Sequence, residues 1–444
     1  MPHIAAFISS DFLRTLRHRC FQIRSKVVGD FPTIEVFLHT RDPYSFVLLH
    51  CLPRFIARYK VNIQIKWLYA LQEDMIPEPI LLQQYAYQDG AYLSELYEVP
   101  YPNKEQQYFN RGSEQFHLDW TCALQSMASD PDAAAQDNIT ACCNMLSDLH
   151  LGKPAPDMLI TDTEQVLKHL DLNQSRQMKL GHYSPATLYF CGDWYWGVDR
   201  LEHLENRLIK FGFNRHLAHT HTVIFNKTWK TPEKLAGSKK ICKVNSEVKI
   251  EPIVLYWSAR SPYSYLALIR CLQISSNYNV PLDIRPVLPM MMRNMQVPKA
   301  KKMYIFHDTK REANKYGIDY GKVADPLGLA VERCYALLDY AKQQGKYLPF
   351  LTSFAKGVNS QGIRAETDEG LREIVEDCGL DWLSAKVHLH EESWREITSR
   401  NQEEMKRLGL WGVPCVLYKG QVMWGQDRLG RLESLLKSNL KHSR

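Results

Sequence analysis

The chain has 444 residues, of which 45% are apolar and 23% charged, with a net charge of +6. That composition excludes a disordered or fibrous protein and fits two to four domains at about 100–200 residues each. No apolar run approaches the ~20 residues that cross a bilayer, and the modest charge gives no nucleic-acid footprint.

The N-terminus, MPHIAAFISSDFLRTLRHRC, has an apolar stretch broken by Asp11 and followed by its basic residues. A secretory leader has the opposite order, so residues 1–32 are expected to be an amphipathic helical extension lying on the first domain. Next come IEVFLHT (34–40), rich in β-branched and aromatic residues, then RDPYSFVLL (41–49) and YKVNIQIKWL (59–68). These read as strand, helix start and second strand. Residues from about 72 to 180 are expected to be mostly helical. After Pro185, TLYFCGDWYWG reads as a hairpin, and WGVDRLEHLENRL, from Trp196, as the closing helix.

Between Asn226 and Lys249 there are seven Lys against two Glu, with Pro232, Gly237 and Ser238 among them. This is expected to be a solvated linker, because interleaved aromatics and heptads are missing. His216, His219 and His221, just before it, read as polar linker residues rather than metal ligands. Eleven cysteines, at 20, 51, 122, 142, 143, 191, 242, 271, 334, 378 and 415, are odd in number and have no C-x-x-C spacing. They read as reduced, mostly buried thiols of a cytoplasmic protein, with no structural zinc.

The same order then recurs. IVLYWSA (253–259), RSPYSYLAL (260–268) and YNVPLDIRPV (278–287) repeat the opening, and Arg260 lies 219 residues after Arg41. CVLYKGQVMWG after Pro414 and WGQDRLGRLESLL from Trp424 repeat the close, at offsets of 228–229. Two matched blocks in one order imply a tandem duplication. The second middle, about 290–408, is again expected to be helical. In ETDEGLREIVEDCGLD, Leu371, Ile374, Val375 and Cys378 fall on one helix face, and Gly379 suits the C-terminal cap. The fold class is therefore α/β, with a mixed sheet and a large helical insertion in each half. The expected domains are 33–213 and 250–444, joined by a basic linker at 214–249.

Ser261-Pro262 and Asp42-Pro43 are ordinary helix starts on local grounds, a cap followed by proline at the first helical position. Such a helix end also offers unpaired N–H groups and partial positive charge to an anion.

A β-α-β half with a helical insert, Ser261-Pro262-Tyr263-Ser264-Tyr265-Leu266-Ala267, Gly412-Val413-Pro414 and Trp424-Gly425-Gln426-Asp427-Arg428 resembles the DsbA-like thioredoxin superfamily. The branch it resembles is that of 2-hydroxychromene-2-carboxylate isomerases and kappa-class glutathione transferases. The resemblance implies two tandem thioredoxin-like domains, the first degenerate. It covers about 250–440 and, more weakly, 33–210. It implies glutathione as cofactor and Ser261 as the catalytic residue that stabilises its thiolate. Pro414 would be a cis-proline whose neighbour Val413 pairs with the cysteinyl part of the cofactor. Asp427 would receive the γ-glutamyl ammonium, with Gln426 and Asn294 as further polar contacts.

Ser261-x-x-Ser264 cannot form a disulfide, so dithiol exchange at that position is excluded. Asp42, at the first-half equivalent, has no hydrogen to donate when ionised and repels a thiolate, so that half is expected to have lost the site. The expected function is a glutathione-dependent isomerase or transferase acting on electrophilic aromatic or conjugated carbonyl compounds. Two alternatives stand beside it: a disulfide oxidoreductase using another cysteine, with Cys415 the candidate, and a non-catalytic thioredoxin-like scaffold. The partner expected is a small-molecule substrate, with no nucleic acid, membrane or metal, and the two repeats are expected to act as an internal pseudo-dimer.

Overall fold

The computed structural model describes residues 32–71, 75–102, 112–129, 134–156, 163–215, 222–227 and 251–442, with a few isolated positions before them. The chain divides into two units, Arg14–Thr228 and Trp229–Arg444, the latter joined by Met1–Leu13. Most of the helical extension expected at 1–32 lies outside the described residues. Its first part groups with the second unit rather than the first, because Ala6 and Ser10 line a cavity with Lys310, Tyr320 and Ser360.

In the first unit, strand β1 (Thr33–His39) pairs in parallel with β2 (Asn62–Leu68) and antiparallel with β3 (Thr187–Phe190), which pairs with β4 (Asp193–Trp196). The sheet order is β2-β1-β3-β4. Helices α1 (Pro43–Ile56), α2 (Pro79–Tyr97), α3 (Glu114–Ala128), α4 (Ala135–His150), α5 (Thr163–Lys179) and α6 (Leu201–Lys210) complete it.

In the second unit, β5 (Ile253–Trp257) is parallel to β6 (Leu282–Pro286) and antiparallel to β7 (Cys415–Tyr418), which pairs with β8 (Gln421–Trp424). The order β6-β5-β7-β8 repeats that of the first sheet. Its helices are α7 (Pro262–Tyr278), α8 (Lys299–Tyr316), α9 (Leu329–Ala336), α10 (Leu338–Gln343), α11 (Tyr347–Lys356), α12 (Asp368–Asp377), α13 (Trp382–Val387), α14 (Ser393–Arg407) and α15 (Leu429–His442). The protein is thus α/β, with two tandem thioredoxin-like units. No helix among the described residues is long and apolar enough to cross a membrane.

The central strands explain the placement of the cores. Every residue of β5 is buried, so this strand is covered on both faces, as a parallel-paired strand usually is. Leu255, Trp257, Leu266, Leu268 and Ile274 join one apolar cluster, and Val36, Leu38, Val47, Leu49 and Phe55 join its counterpart. The hairpin turns have positive φ at both central residues, Cys191-Gly192 and Lys419-Gly420, the backbone that matches strand twist in two-residue loops.

The expected linker starts too early at 214. Residues 222–227 belong to the first unit: Phe225 is buried in its core, and Glu205 accepts the N–H groups of Ile224 and Phe225 at 2.9 and 2.8 Å. Asn214 and Arg215 also pack on that unit, Asn214 bridging Tyr59 and Arg215 donating to the Arg58 and Ile56 carbonyls at 2.8 and 2.9 Å. Linker positions 216–221 and 228–249, with His216, His219, His221 and Cys242, and also Cys20, lie outside the described residues.

Candidate active site

Strand β5 runs into α7 through Ser258-Ala259-Arg260-Ser261. Ser261 caps α7 from extended backbone, and its Oγ accepts the Ser264 N–H at 3.2 Å. Pro262 follows at the first helical position, where its missing N–H is not needed. Arg260 is turned aside by a forked pair with Asp325, two bonds of 2.7 Å each. Although burial opposes it, that fork holds the Asp325 carboxyl below its ordinary range.

Across from this helix end, the Val413–Pro414 peptide is cis. The Ser261 hydroxyl donates to the Val413 carbonyl at 3.5 Å, a long and weak bond. Ser261 and Val413 are both half-buried, so the hydroxyl faces an accessible spot and not the core. Gly412 is fixed by contact: a Cβ there would sit 3.0 Å from Trp424, whose ring packs edge-on against Trp411.

Ser264 is fully buried, and its Oγ accepts the Ser258 N–H at 3.4 Å. It ties the strand to the helix and does not present a group to a ligand. Cys415 is also fully buried; its thiol donates to the Gly412 carbonyl, and burial holds its pKa well above the ordinary thiol range.

Asp427 is half-buried just after β8. Its Oδ1 accepts from Gln426 Nε2 at 2.5 Å. Gln426 itself is buried and fully committed. Its amide also donates to Glu312 at 2.9 Å, while its Oε1 and backbone carbonyl both accept from Arg270. The expected direct contact of Gln426 with a cofactor is therefore corrected: its polar atoms are spent inside the protein.

Asn294 is exposed, in left-handed backbone, and ends the short turn Met290–Arg293. Its neighbour Arg293 reaches the proline segment instead, donating to the Trp411 carbonyl at 2.9 Å. Nothing in the local sequence separates these two residues; only the turn's closure at Asn294 does.

The first unit repeats this frame with altered chemistry. Tyr44 donates to Asp89 at 3.1 Å and Tyr263 to Asp308 at 2.6 Å, each pair 45 residues apart. Ser45 Oγ accepts the His39 N–H, as Ser264 accepts that of Ser258. Helices α2 and α8 end in left-handed Glu98 and Gly317. All these positions keep the offset of 219, so the middle of the first half matches further than its sequence suggests.

The cap is where the chemistry differs. Asp42 accepts from the Ser45 N–H at 2.8 Å and the Ser45 hydroxyl at 2.6 Å, and burial pushes its carboxyl up to about 6.

The pairing of Pro185 with Pro414 is off by one. Phe37 faces Thr187 in one sheet and Tyr256 faces Cys415 in the other, so Ala186 stands where Pro414 does. The bonds from Gly197 N–H to Ala186 O and from Gly425 N–H to Pro414 O agree with this. Ala186 has φ of 55°, an uncommon conformation for a residue with a side chain.

Residues 252–437 match the DSBA-like thioredoxin domain family. A 2-hydroxychromene-2-carboxylate isomerase from Sphingobium xenophagum is 27% identical over 196 residues, covering 41% of this chain and 97% of that protein. Similar solved structures include a 2-hydroxychromene-2-carboxylate isomerase (22% identity, 43% of this chain and 97% of that one, TM-score 0.37). Another is the cytosolic disulfide reductase DsbM from Pseudomonas aeruginosa with GSH (17% identity, 43% of this chain and 100% of that one, TM-score 0.32). The second half of the chain thus carries a DsbA-like thioredoxin domain.

Proposed function

We propose that the second unit binds glutathione and activates its thiol, acting as a glutathione-dependent isomerase or transferase on electrophilic aromatic or conjugated carbonyl compounds. The observation that carries this reading is the Ser261 hydroxyl at the N-terminus of α7, 3.5 Å from the Val413 carbonyl. A hydroxyl so weakly engaged swings readily to a better acceptor. A thiolate beside it gains that hydrogen bond and the positive end of the helix, and both lower the thiol pKa.

The half-buried Val413 backbone offers an edge to the cysteinyl segment. Asp427 offers a carboxylate to the ammonium of the γ-glutamyl group, a charge-assisted bond. The likeness to the Sphingobium isomerase supports the isomerase form. In that form glutathione would supply a sulfur nucleophile for reversible addition to the conjugated double bond, with Ser261 holding its thiolate and Asp427 its ammonium. In the transferase form the same thiol would supply the nucleophile for a lasting conjugation.

The disulfide oxidoreductase alternative is disfavoured, because Cys415 is buried and held protonated. The constant offset of 219 through matched hydrogen bonds supports an origin of the two units by duplication, with the first no longer serving a thiol. A cytoplasmic location is part of this proposal, supported by the free thiols of the nine described cysteines.

The test is thermal melting with and without millimolar glutathione, where binding to the native state must raise the transition. Asp427→Ala is expected to weaken affinity about ten- to a hundredfold, and Ser261→Ala to raise the bound thiol pKa, read by thiolate absorbance. A wild-type transition that ignores glutathione would favour the scaffold reading instead.

A further inference from the structure

The second unit buries a polar network behind Asp427. Arg270, Glu312 and Gln426 are 3%, 1% and 1% exposed. The Gln426 amide cannot flip, because Arg270 donates to its oxygen while its nitrogen donates to Glu312 and Asp427. The Arg270 guanidinium also lies 3.9 Å from the centre of the Tyr316 ring.

The first unit supplies an internal control. By the same offsets, Arg270, Glu312 and Gln426 correspond to Cys51, Leu93 and Val198. All three are buried in the first unit's apolar core. Tyr97 still stands where Tyr316 does, and Asp199 where Asp427 does. The same architecture therefore closes with an apolar trio at these places. Burying two opposite charges and an amide costs desolvation that hydrophobic residues avoid, so stability alone does not account for the network.

We infer that Arg270, Glu312 and Gln426 are positioning residues: they exist to fix the Asp427 carboxylate toward the γ-glutamyl end of the bound thiol cofactor. Arg270 and Glu312 orient the amide, and the amide holds one carboxylate oxygen. This inference rests on the glutathione reading for the identity of the ligand, but not for the clamping of Asp427.

The experiment transplants the first unit's trio as Arg270→Cys/Glu312→Leu/Gln426→Val. The variant is expected to melt within a few degrees of wild type without ligand, yet to bind glutathione roughly tenfold or more weakly. Its ligand-free crystal structure is expected to show Asp427 displaced from its present rotamer. If the trio does not pack, Glu312→Gln reads the same clamp, since it removes the charged acceptor and preserves shape.

A folded variant with wild-type glutathione affinity overturns the inference. So does an unmoved Asp427 in the variant structure, which decides the matter even if the wild type binds no glutathione. Failure of the wild type to respond counts against the glutathione reading alone. Cooperative unfolding lost in both variants would show that the network serves the fold and would also overturn it.

Discussion

Position 261 and position 42 cap equivalent helices with opposite consequences for an anion. Ser261 offers a proton and a long, weak bond to its neighbour. Asp42 offers a carboxyl with one oxygen already engaged by the Ser45 hydroxyl and N–H. Ser261→Cys makes the difference measurable without any ligand. Its thiol should titrate below the ordinary value of ~8.5, because the helix end favours the thiolate. Alkylation rate against pH reads this, and a pKa at or above 8.5 would remove the physical basis of the proposed site. Gln426 carries a different lesson. A glutamine beside an aspartate looks like a second ligand in sequence. Its true partners, Arg270 and Glu312, lie 156 and 114 residues away. No local pattern reveals them.

At the scale of elements, the strands, helix starts and hairpins were legible because their signals are local. The face formed by Leu371, Ile374 and Val375 is buried on α12, and Gly379 follows it with φ of 77°. Register was not legible. Pro185 and Pro414 each precede a hairpin, and only the pairing of Thr187 and Cys415 across their sheets separates them. Close backbone approach was equally invisible. In the first turn of α12, a Cβ on Gly370 would meet the Arg364 carbonyl oxygen at 2.2 Å. Gly370→Ala is therefore expected to destabilise the second unit by about 2–3 kcal/mol through overpacking. Urea melts check this, and an unchanged midpoint would contradict the close approach.

Across the molecule, the two units are expected to differ in acid sensitivity. The first unit buries His39, His117, His150 and His182, whereas the buried polar residues described in the second unit include no histidine. Burial lowers His39 from 6.5 to about 4 and His150 to about 3, and it lowers the mostly buried His50 as well. Arg41 and His117 push His39 the same way, and His117 and His50 do so for His150.

A depressed histidine contributes stability above its unfolded pKa of about 6.5, and that stability is lost as pH falls toward the folded value. Asp42, raised to about 6, works in the opposite sense between its unfolded value of 3.8 and 6, because the folded form holds the proton. Glu205, which burial also raises, works in the same sense as Asp42, but the three histidines outweigh the two carboxyls. At about 1.4 kcal/mol for each tenfold change in proton affinity, the first unit should lose several kcal/mol between pH 6.5 and 4.5. Calorimetry should show the transition of the first unit falling first. Equal falls in both, or a His150→Leu variant that stays as acid-labile as wild type, would contradict this.

On the proposed duplication, Ala186 in left-handed backbone has a consequence for descent. A serine restored at 42 would still face a strand whose proline sits one place too early, and a proline written at 186 would meet a φ of 55° that its ring forbids. No single codon change would then give the amino half the chemistry proposed for the second unit. Under that proposal its divergence would be ratcheted, leaving selection to shape it for some other duty.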